Sequence, residues 1–144
     1  MSGPSPTSEP CVTEVERGAV RKFAEALGET ARVHFDVAAA HQAGYRDLLA
    51  PPTFAITLPA APVPGVELPA SGNLHGEQDF DFSGAIYARD SVSVVRRLVG
   101  VKEREGRSGK LEIYTFENVG TNQVKEIVFT ARQVIIVRRT QKEA

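Results

Sequence analysis

The hydrophobic pattern of this chain changes its period near the middle. From Leu74 onward apolar and polar residues alternate, and the last such run, 124–138, is rich in Val and Ile. Alternation with period two is typical of strands with one buried face. Gly and Asn at 105–110 and 118–123 predict tight connections between strands. Helical spacing before Leu74 and antiparallel strands after it predict an α+β fold.

The first long helix is predicted over 14–27. Thr13 and Glu16 form a capping-box pattern, and apolar residues follow at helical spacing. Gly28 is a natural C-terminal stop for this helix.

Two shorter segments of the first half are also predicted to be helical. Asp36 is a suitable N-cap for the alanine-rich segment 37–43, which Gly44 would end. The apolar segment 52–58 follows a proline pair and predicts a short buried helix. We expect the sheet to wrap around this segment, and the Pro/Gly-rich stretch 61–73 to form an ordered connection or flap.

The length of 144 residues fits one domain. We predict this domain over 13–139, between flexible tails at 1–12 and 140–144. The chain has 42% hydrophobic and 24% charged residues, which is typical of a globular protein.

The charge and cysteine content indicate which partners and sites to expect. A formal net charge of −1 gives no field that would attract nucleic acid or an anionic membrane. The single cysteine, Cys11, cannot form an intrachain disulfide, and we interpret it as an incidental thiol. The sequence contains no secretory signal pattern and no apolar run of roughly 20 residues. We therefore expect a cytoplasmic protein, with no metal and no cofactor.

Glu29 and His34 are the first candidates for chemistry. They lie in the link between the two predicted helices, where loop side chains held by rigid elements commonly act in catalysis. An imidazole takes and gives protons near neutral pH, and a carboxylate beside it orients water or acts as its acid/base partner. The structural alternative is a solvated carboxylate and a surface imidazole.

The link and the segments after it resemble the MaoC-like, or R-specific hydratase, family. The motif of that family runs Tyr, five residues, Asp, any residue, Asn, Pro, Ile, His, and continues to a Gly and an Ala-His-Gly. The matching positions here are Phe23, Glu29, Ala31, Arg32, Val33, His34, Gly44 and Ala50-Pro51-Pro52. The segments LLAPPTF, Gly44-Tyr45 and LHGEQDFDF look most like the FAS1-like, N-terminal-type dehydratase branch.

The resemblance implies a hot dog fold, in which a long antiparallel sheet wraps one central helix. It also implies reversible water addition to trans-2-enoyl thioesters, or loss from 3-hydroxyacyl thioesters, carried by coenzyme A or acyl carrier protein. Glu29 and His34 would be the catalytic pair. The residues that would bind substrate are Tyr45, Thr53, Phe54, His75 and Gly76.

Several positions depart from the family motif. Glu29 replaces Asp and lengthens the carboxylate by one methylene, and Ala31 and Arg32 replace Asn and Pro. Pro51 and Pro52 stand where His-Gly is expected, so no backbone N–H is available at 52 to hold a thioester oxygen.

These departures leave two further functions open. One is a non-catalytic acyl-binding subunit that pairs with a catalytic MaoC-like chain. The other is a thioesterase, because fold alone does not fix the reaction. In each case we expect a homodimer or a heterodimer, since a curved sheet leaves an edge strand to cover. The pairs Arg96-Arg97 and Arg138-Arg139 are interpreted as strand-end charges, with binding of a coenzyme A phosphate as the alternative.

Overall fold

A five-stranded antiparallel sheet is formed by both halves of the chain. The computed structural model describes residues 5–107 and 109–139. The spatial order is β1-β3-β4-β5-β2. The strands are β1 (Cys11–Glu14), β2 (Asn73–Phe82), β3 (Ser91–Gly106), β4 (Gly109–Thr121) and β5 (Ile127–Arg139).

Four short helices lie between β1 and β2. Two are α-helices, α1 (Arg17–Ala26) and α2 (Val37–Gln42). Two are 3-10 helices, Arg32–His34 in the link and Pro52–Thr57, which we call the central helix. Asp36 caps α2 as predicted, because its carboxylate accepts a hydrogen bond from the Ala38 N–H at 3.0 Å.

The start of the chain differs from the prediction. Thr13 belongs to β1, where it is paired with Val92, so the capping box is wrong and α1 begins only at Arg17. Glu16 takes the N-cap position without a side-chain hydrogen bond. The predicted tail is also partly strand, since Thr7 forms a bridge to Arg97 and β1 begins at Cys11. Residues 1–4 and 140–144 lie outside the described residues.

The central helix is a 3-10 helix and is only partly buried. Phe54 and Ala55 are buried, whereas Ile56 is exposed. The segment 52–58 therefore packs against the core as predicted, but it is not fully buried. A 3-10 turn brings only every third side chain to the same face, so a six-residue helix buries few residues.

The predicted connection at 118–123 is also wrong. Strand β4 continues to Thr121, and the turn to β5 is formed around Asn122, whose carboxamide oxygen accepts hydrogen bonds from the Val124 and Glu126 N–H groups. Gly120 lies within strand β4, opposite Phe129 of β5, and a Cβ at this position would overlap the Phe129 ring. This glycine serves close packing rather than a turn.

The main core lies between the central helix and the inward face of the sheet. Phe54 and Leu58 pack with Val92 and Val94 of β3 and with Phe129 of β5. The sheet thus wraps the central helix as expected.

A second, smaller cluster covers the other part of the same face. The Pro/Gly-rich connection places Val63 against Tyr114, Phe116 and Val137, with Val63 only 5% exposed. The connection is therefore an ordered cover for this part of the sheet.

The buried carboxylate of Asp90 ties the loop before the central helix to the sheet. Asp90 is 0% exposed and accepts two hydrogen bonds from Arg46. It accepts two more, from the Tyr87 N–H at 3.0 Å and from Gln123 Nε2 at 3.1 Å. Arg46 also lies 4.3 Å from the centroid of the Tyr87 ring. The loop, the start of β3 and the β4–β5 turn are held at one point.

Replacing Asp90 with alanine leaves Arg46 and two other donors without an acceptor. We expect a loss of about 1–3 kcal/mol in the free energy of unfolding, measured by urea denaturation, because the partly buried Tyr87 N–H and Gln123 Nε2 lose their acceptor, whereas the half-exposed Arg46 can be hydrated. The control Asp81→Ala, at an exposed position on β2, should change stability by less than about 0.5 kcal/mol. Equal effects of the two substitutions would contradict this role.

A second ion pair predicts acid sensitivity. Arg17 donates to both carboxylate oxygens of Asp47, at 3.1 and 2.9 Å, and these hydrogen bonds hold the pKa of Asp47 below its ordinary value of 3.8. A lowered pKa contributes stability above the ordinary value, and this contribution is lost as pH falls through the lowered one. Asp47→Asn should therefore weaken the loss of stability below pH 3.8, measured by urea denaturation at several pH values. The exposed Asp79→Asn should leave that slope closer to wild type.

Candidate active site

Glu29 has a position fixed by the end of α1. The Glu29 N–H donates to Ala24 O at 3.0 Å, and the Gly28 N–H donates to Glu25 O at the same distance. This is a Schellman ending, and it uses the positive φ of Gly28, +76°. The backbone of Glu29 is thereby attached to the helix, while its side chain remains 43% exposed.

The loop that precedes the central helix orients the ring of His34. Its Nδ1 lies 2.6 Å from the carbonyl oxygen of Leu49. The Leu49 N–H in turn donates to Val33 O at 3.0 Å. A carbonyl oxygen only accepts hydrogen bonds, so Nδ1 carries the proton in the neutral ring. Nε2 is then free to accept a proton.

The structure brings Glu29 and His34 together. Oε2 of Glu29 lies 3.8 Å from Nε2 of His34. The histidine side chain is 10% exposed, so one buried base faces one half-exposed carboxylate. At 3.8 Å the two atoms are beyond hydrogen-bond length, and each can make a separate hydrogen bond to a third atom. Such an arrangement can bind and polarise one water molecule.

An apolar groove of about 480 Å³ runs beside α1 and the central helix. The rings of Phe23 and Phe54 meet edge to face, with centroids 5.5 Å apart. The apolar residues that line the groove are Val15, Ala19, Phe23, Ala26, Phe54 and Leu58. Its shape and lining suit a hydrocarbon chain.

Of the predicted substrate-binding residues, Phe54 lines this groove, whereas Thr53 and Tyr45 do not. Thr53 is exposed on the central helix, and its amide is the first N–H after Pro51-Pro52. Tyr45 follows the glycine that ends α2 and packs on Tyr87, with ring centroids 5.8 Å apart.

His75 and Gly76 are exposed on the edge strand β2. The register of β2 against β5 shifts between His75 and Glu77, so Gly76 occupies a β-bulge. Neither residue lines the groove beside the central helix.

Two parts of the site were missed by the sequence analysis. The Leu49 carbonyl that orients His34 is a backbone group, and no residue type marks it. The contribution of β1 to the groove was also missed, because Thr13 and Glu14 were assigned to the cap and first turn of the predicted helix. A Val/Thr pattern at 12–15 was the available signal, but a four-residue strand gives only two alternations.

Within 5–107 and 109–139, no three His, Cys, Asp or Glu side chains come together in a way that would hold a metal ion. In the same ranges no helix has the length and apolar character needed to cross a membrane.

Comparison with known proteins identifies the family. The family described as "FAS1-like, dehydratase domain region" matches residues 5–131. The chain belongs to the FAS1-like dehydratase family. A UPF0336 protein of Saccharopolyspora erythraea is 34% identical over 139 residues, which cover 90% of this chain and 85% of the relative. A UPF0336 protein of Thermobifida fusca is 33% identical over 131 residues, covering 87% and 84%.

Solved structures confirm the hot dog fold for this FAS1-like dehydratase chain. A chain of the HadBC (3R-hydroxyacyl-ACP dehydratase) complex from Mycobacterium tuberculosis superposes with a TM-score of 0.72 at 24% identity, covering 94% of this chain and 98% of that one. The R-hydratase PhaJ1 from Pseudomonas aeruginosa superposes with a TM-score of 0.69 at 14% identity, covering 99% and 91%. The family match over residues 5–131 confirms the resemblance to the FAS1-like dehydratase branch, and the superpositions confirm the fold that this resemblance implied.

Proposed function

We propose that this protein catalyses reversible hydration of trans-2-enoyl thioesters, or dehydration of 3-hydroxyacyl thioesters, carried by coenzyme A or acyl carrier protein. The observation that carries the proposal is the pair Glu29 and His34, 3.8 Å apart, with the histidine ring oriented by Leu49 O. Membership of the FAS1-like dehydratase family supports the reaction class.

The two side chains divide the work on one water molecule. The Glu29 carboxylate accepts a hydrogen bond from the water and orients it. His34 Nε2 takes a proton from the water as the oxygen bonds to C3 of the substrate. The Nε2–H then gives this proton to C2, so that the elements of water are added and His34 returns to its neutral state. Dehydration follows the same steps in reverse.

The thioester oxygen needs a hydrogen-bond donor while negative charge develops on it. Pro51 and Pro52 have no N–H, so the Thr53 amide is the first donor at the start of the central helix. The apolar groove lined by Phe23 and Phe54 would receive the acyl chain.

The proline pair favours a second candidate function, an acyl-binding subunit that completes the site of a separate catalytic chain. Loss of one oxyanion donor costs about 2.7–4 kcal/mol in other enzymes, enough to make a chain dependent on a partner. In either role we propose a cytoplasmic dimer, formed with a second copy or with another MaoC-like chain. The exposed strand β2, which pairs only with β5 among the described strands, offers an edge for this contact. The structurally similar HadBC dehydratase of Mycobacterium tuberculosis is a complex, which supports such a pairing.

The catalytic pair is tested by hydration of crotonyl-CoA by the purified chain, followed by loss of the enoyl thioester absorbance. Glu29→Gln and His34→Ala should each lower kcat by about 10²- to 10⁴-fold, because each removes a group that handles the water or its proton. The matched controls Glu25→Gln and His41→Ala alter exposed residues on α1 and α2 and should retain activity.

Three results would contradict this proposal. Full activity in both pair variants would remove Glu29 and His34 from the mechanism. No turnover by a folded wild-type chain, on short or long acyl groups, would favour the subunit role. That role predicts activity on co-expression with a catalytic MaoC-like chain. Release of free thiol without hydration would instead indicate a thioesterase.

The groove is tested by narrowing it from its exposed side. Ala19 is exposed on α1 and lines the groove, so Ala19→Phe adds bulk without disturbing the core. We expect kcat/KM for trans-2-decenoyl-CoA to fall by about tenfold or more while crotonyl-CoA is little affected. Ala38→Phe, at an exposed position of α2, is the control. Equal losses on both substrates would exclude this groove as the acyl site.

A further inference from the structure

A band of polar side chains divides the inward face of the sheet into two parts. Arg96 of β3 donates from Nε to Asn118 Oδ1 of β4 at 3.0 Å and from Nη2 to Gln133 Oε1 of β5 at 2.9 Å. The main core lies on one side of this band, and the smaller cluster around Phe116 lies on the other. The guanidinium carbon of Arg96 is 5.1 Å from the centroid of the Phe116 ring.

Arg96 is a desolvated charge held by neutral groups. Among the described residues, no carboxylate oxygen lies within 4.0 Å of its nitrogen atoms, whereas Arg17, Arg46 and Arg97 each pair with a carboxylate. Burial lowers the pKa of Arg96 from its ordinary value. Burying a guanidinium without a paired carboxylate costs free energy. Charged groups held in such unfavourable surroundings are often found at binding sites.

The two hydrogen bonds leave part of the guanidinium available. It has five N–H donors, and Asn118 and Gln133 use one on Nε and one on Nη2. Two donors on Nη1 and one on Nη2 remain, and we call these three donors the Arg96 fork, since a carboxylate can accept from adjacent guanidinium N–H groups. The amides of Asn118 and Gln133 fix the plane of this fork before any ligand binds.

A cavity of about 430 Å³ lies between this part of the sheet and the Pro/Gly-rich connection. Arg96 and Phe116 form its floor, and Pro62, Val63, Val66 and Leu68 form its apolar roof. Glu67 also borders the cavity, but it is an exposed residue of the connection. The lining combines one cation with a hydrocarbon surface, and it shares no residue with the groove beside the central helix.

We propose that this cavity is a second binding site, which takes a carboxylate carried on an apolar chain, such as a medium-chain fatty acid anion. The Arg96 fork binds the carboxylate, and Val63, Val66, Leu68 and Phe116 enclose the chain. The site does not depend on the Glu29–His34 reaction, because a free acid has no thioester and the two sets of lining residues differ.

The test is calorimetric titration of the whole chain with octanoate below its micelle concentration. Arg96→Met should weaken octanoate binding by about tenfold or more, since a charged two-oxygen contact is lost. The matched control Arg97→Met removes the adjacent arginine, which pairs with Glu117 outside the cavity, and should bind as wild type does. Val66→Phe, on the connection, fills the cavity without touching the sheet residues that hold Arg96, and it should also weaken binding.

The specificity of the site is tested with 1-octanol and inorganic phosphate. The wild-type chain should bind octanoate at least about tenfold more tightly than 1-octanol, because only the acid engages the fork. Equal binding of acid and alcohol would overturn the proposal, as would the absence of octanoate binding. Phosphate that competes as well as octanoate would overturn the apolar part of the site. Unchanged hydration kinetics in Arg96→Met would keep this site separate from the proposed reaction.

Discussion

The buried carboxylate of Asp90 is the interaction on which the site geometry depends. It joins Arg46, in the loop after α2, to the start of β3 and the β4–β5 turn through four hydrogen bonds. The same loop then pairs with the segment that precedes β3. The Ala50 N–H donates to Ile86 O, and the Ala88 N–H donates to Leu48 O. This pairing fixes the Leu49 carbonyl, and that carbonyl orients His34. A structural ion pair distant from the candidate histidine, His34, thus helps to fix the carbonyl that its ring contacts.

The backbone, more than the motif side chains, positions the candidate pair. The family motif surrounds the acid and the histidine with Asn and Pro, and this chain has Ala31 and Arg32 in their place. Here the Schellman ending of α1 holds Glu29, while Leu49 holds His34. Arg32 instead pairs with Asp36 at 2.6 Å, at the start of α2. Because these restraints act through main-chain atoms, the positions of Glu29 and His34 do not require Asn and Pro side chains at 31 and 32.

Sequence reasoning recovered elements whose signal is local and periodic. The alternation in β2 to β5, the Asp36 cap and the glycine helix ends could all be predicted because each follows from residues close together in the chain. What failed depends on distant contacts. Gly120 resembles a turn residue until the Phe129 ring is placed against it, and β1 becomes a strand only through its pairing with β3. Likewise the link identified Glu29 and His34 as candidates, but the Leu49 carbonyl that orients the imidazole could not be found from residue types.

The buried Asp90 and the half-buried Arg96 differ in how far their hydrogen-bonding groups are satisfied. Asp90 has a full set of donors, including a cation, so its burial supports the fold and leaves no hydrogen-bonding capacity for a ligand. Among the residues that the structure describes, Arg96 has two amide acceptors for its side chain, and it keeps donors available beside an apolar cavity. An apolar residue at 96 would join the two hydrophobic clusters into one and avoid the desolvation of a guanidinium. Stability of the fold therefore does not explain the arginine, whereas recognition of an anion does.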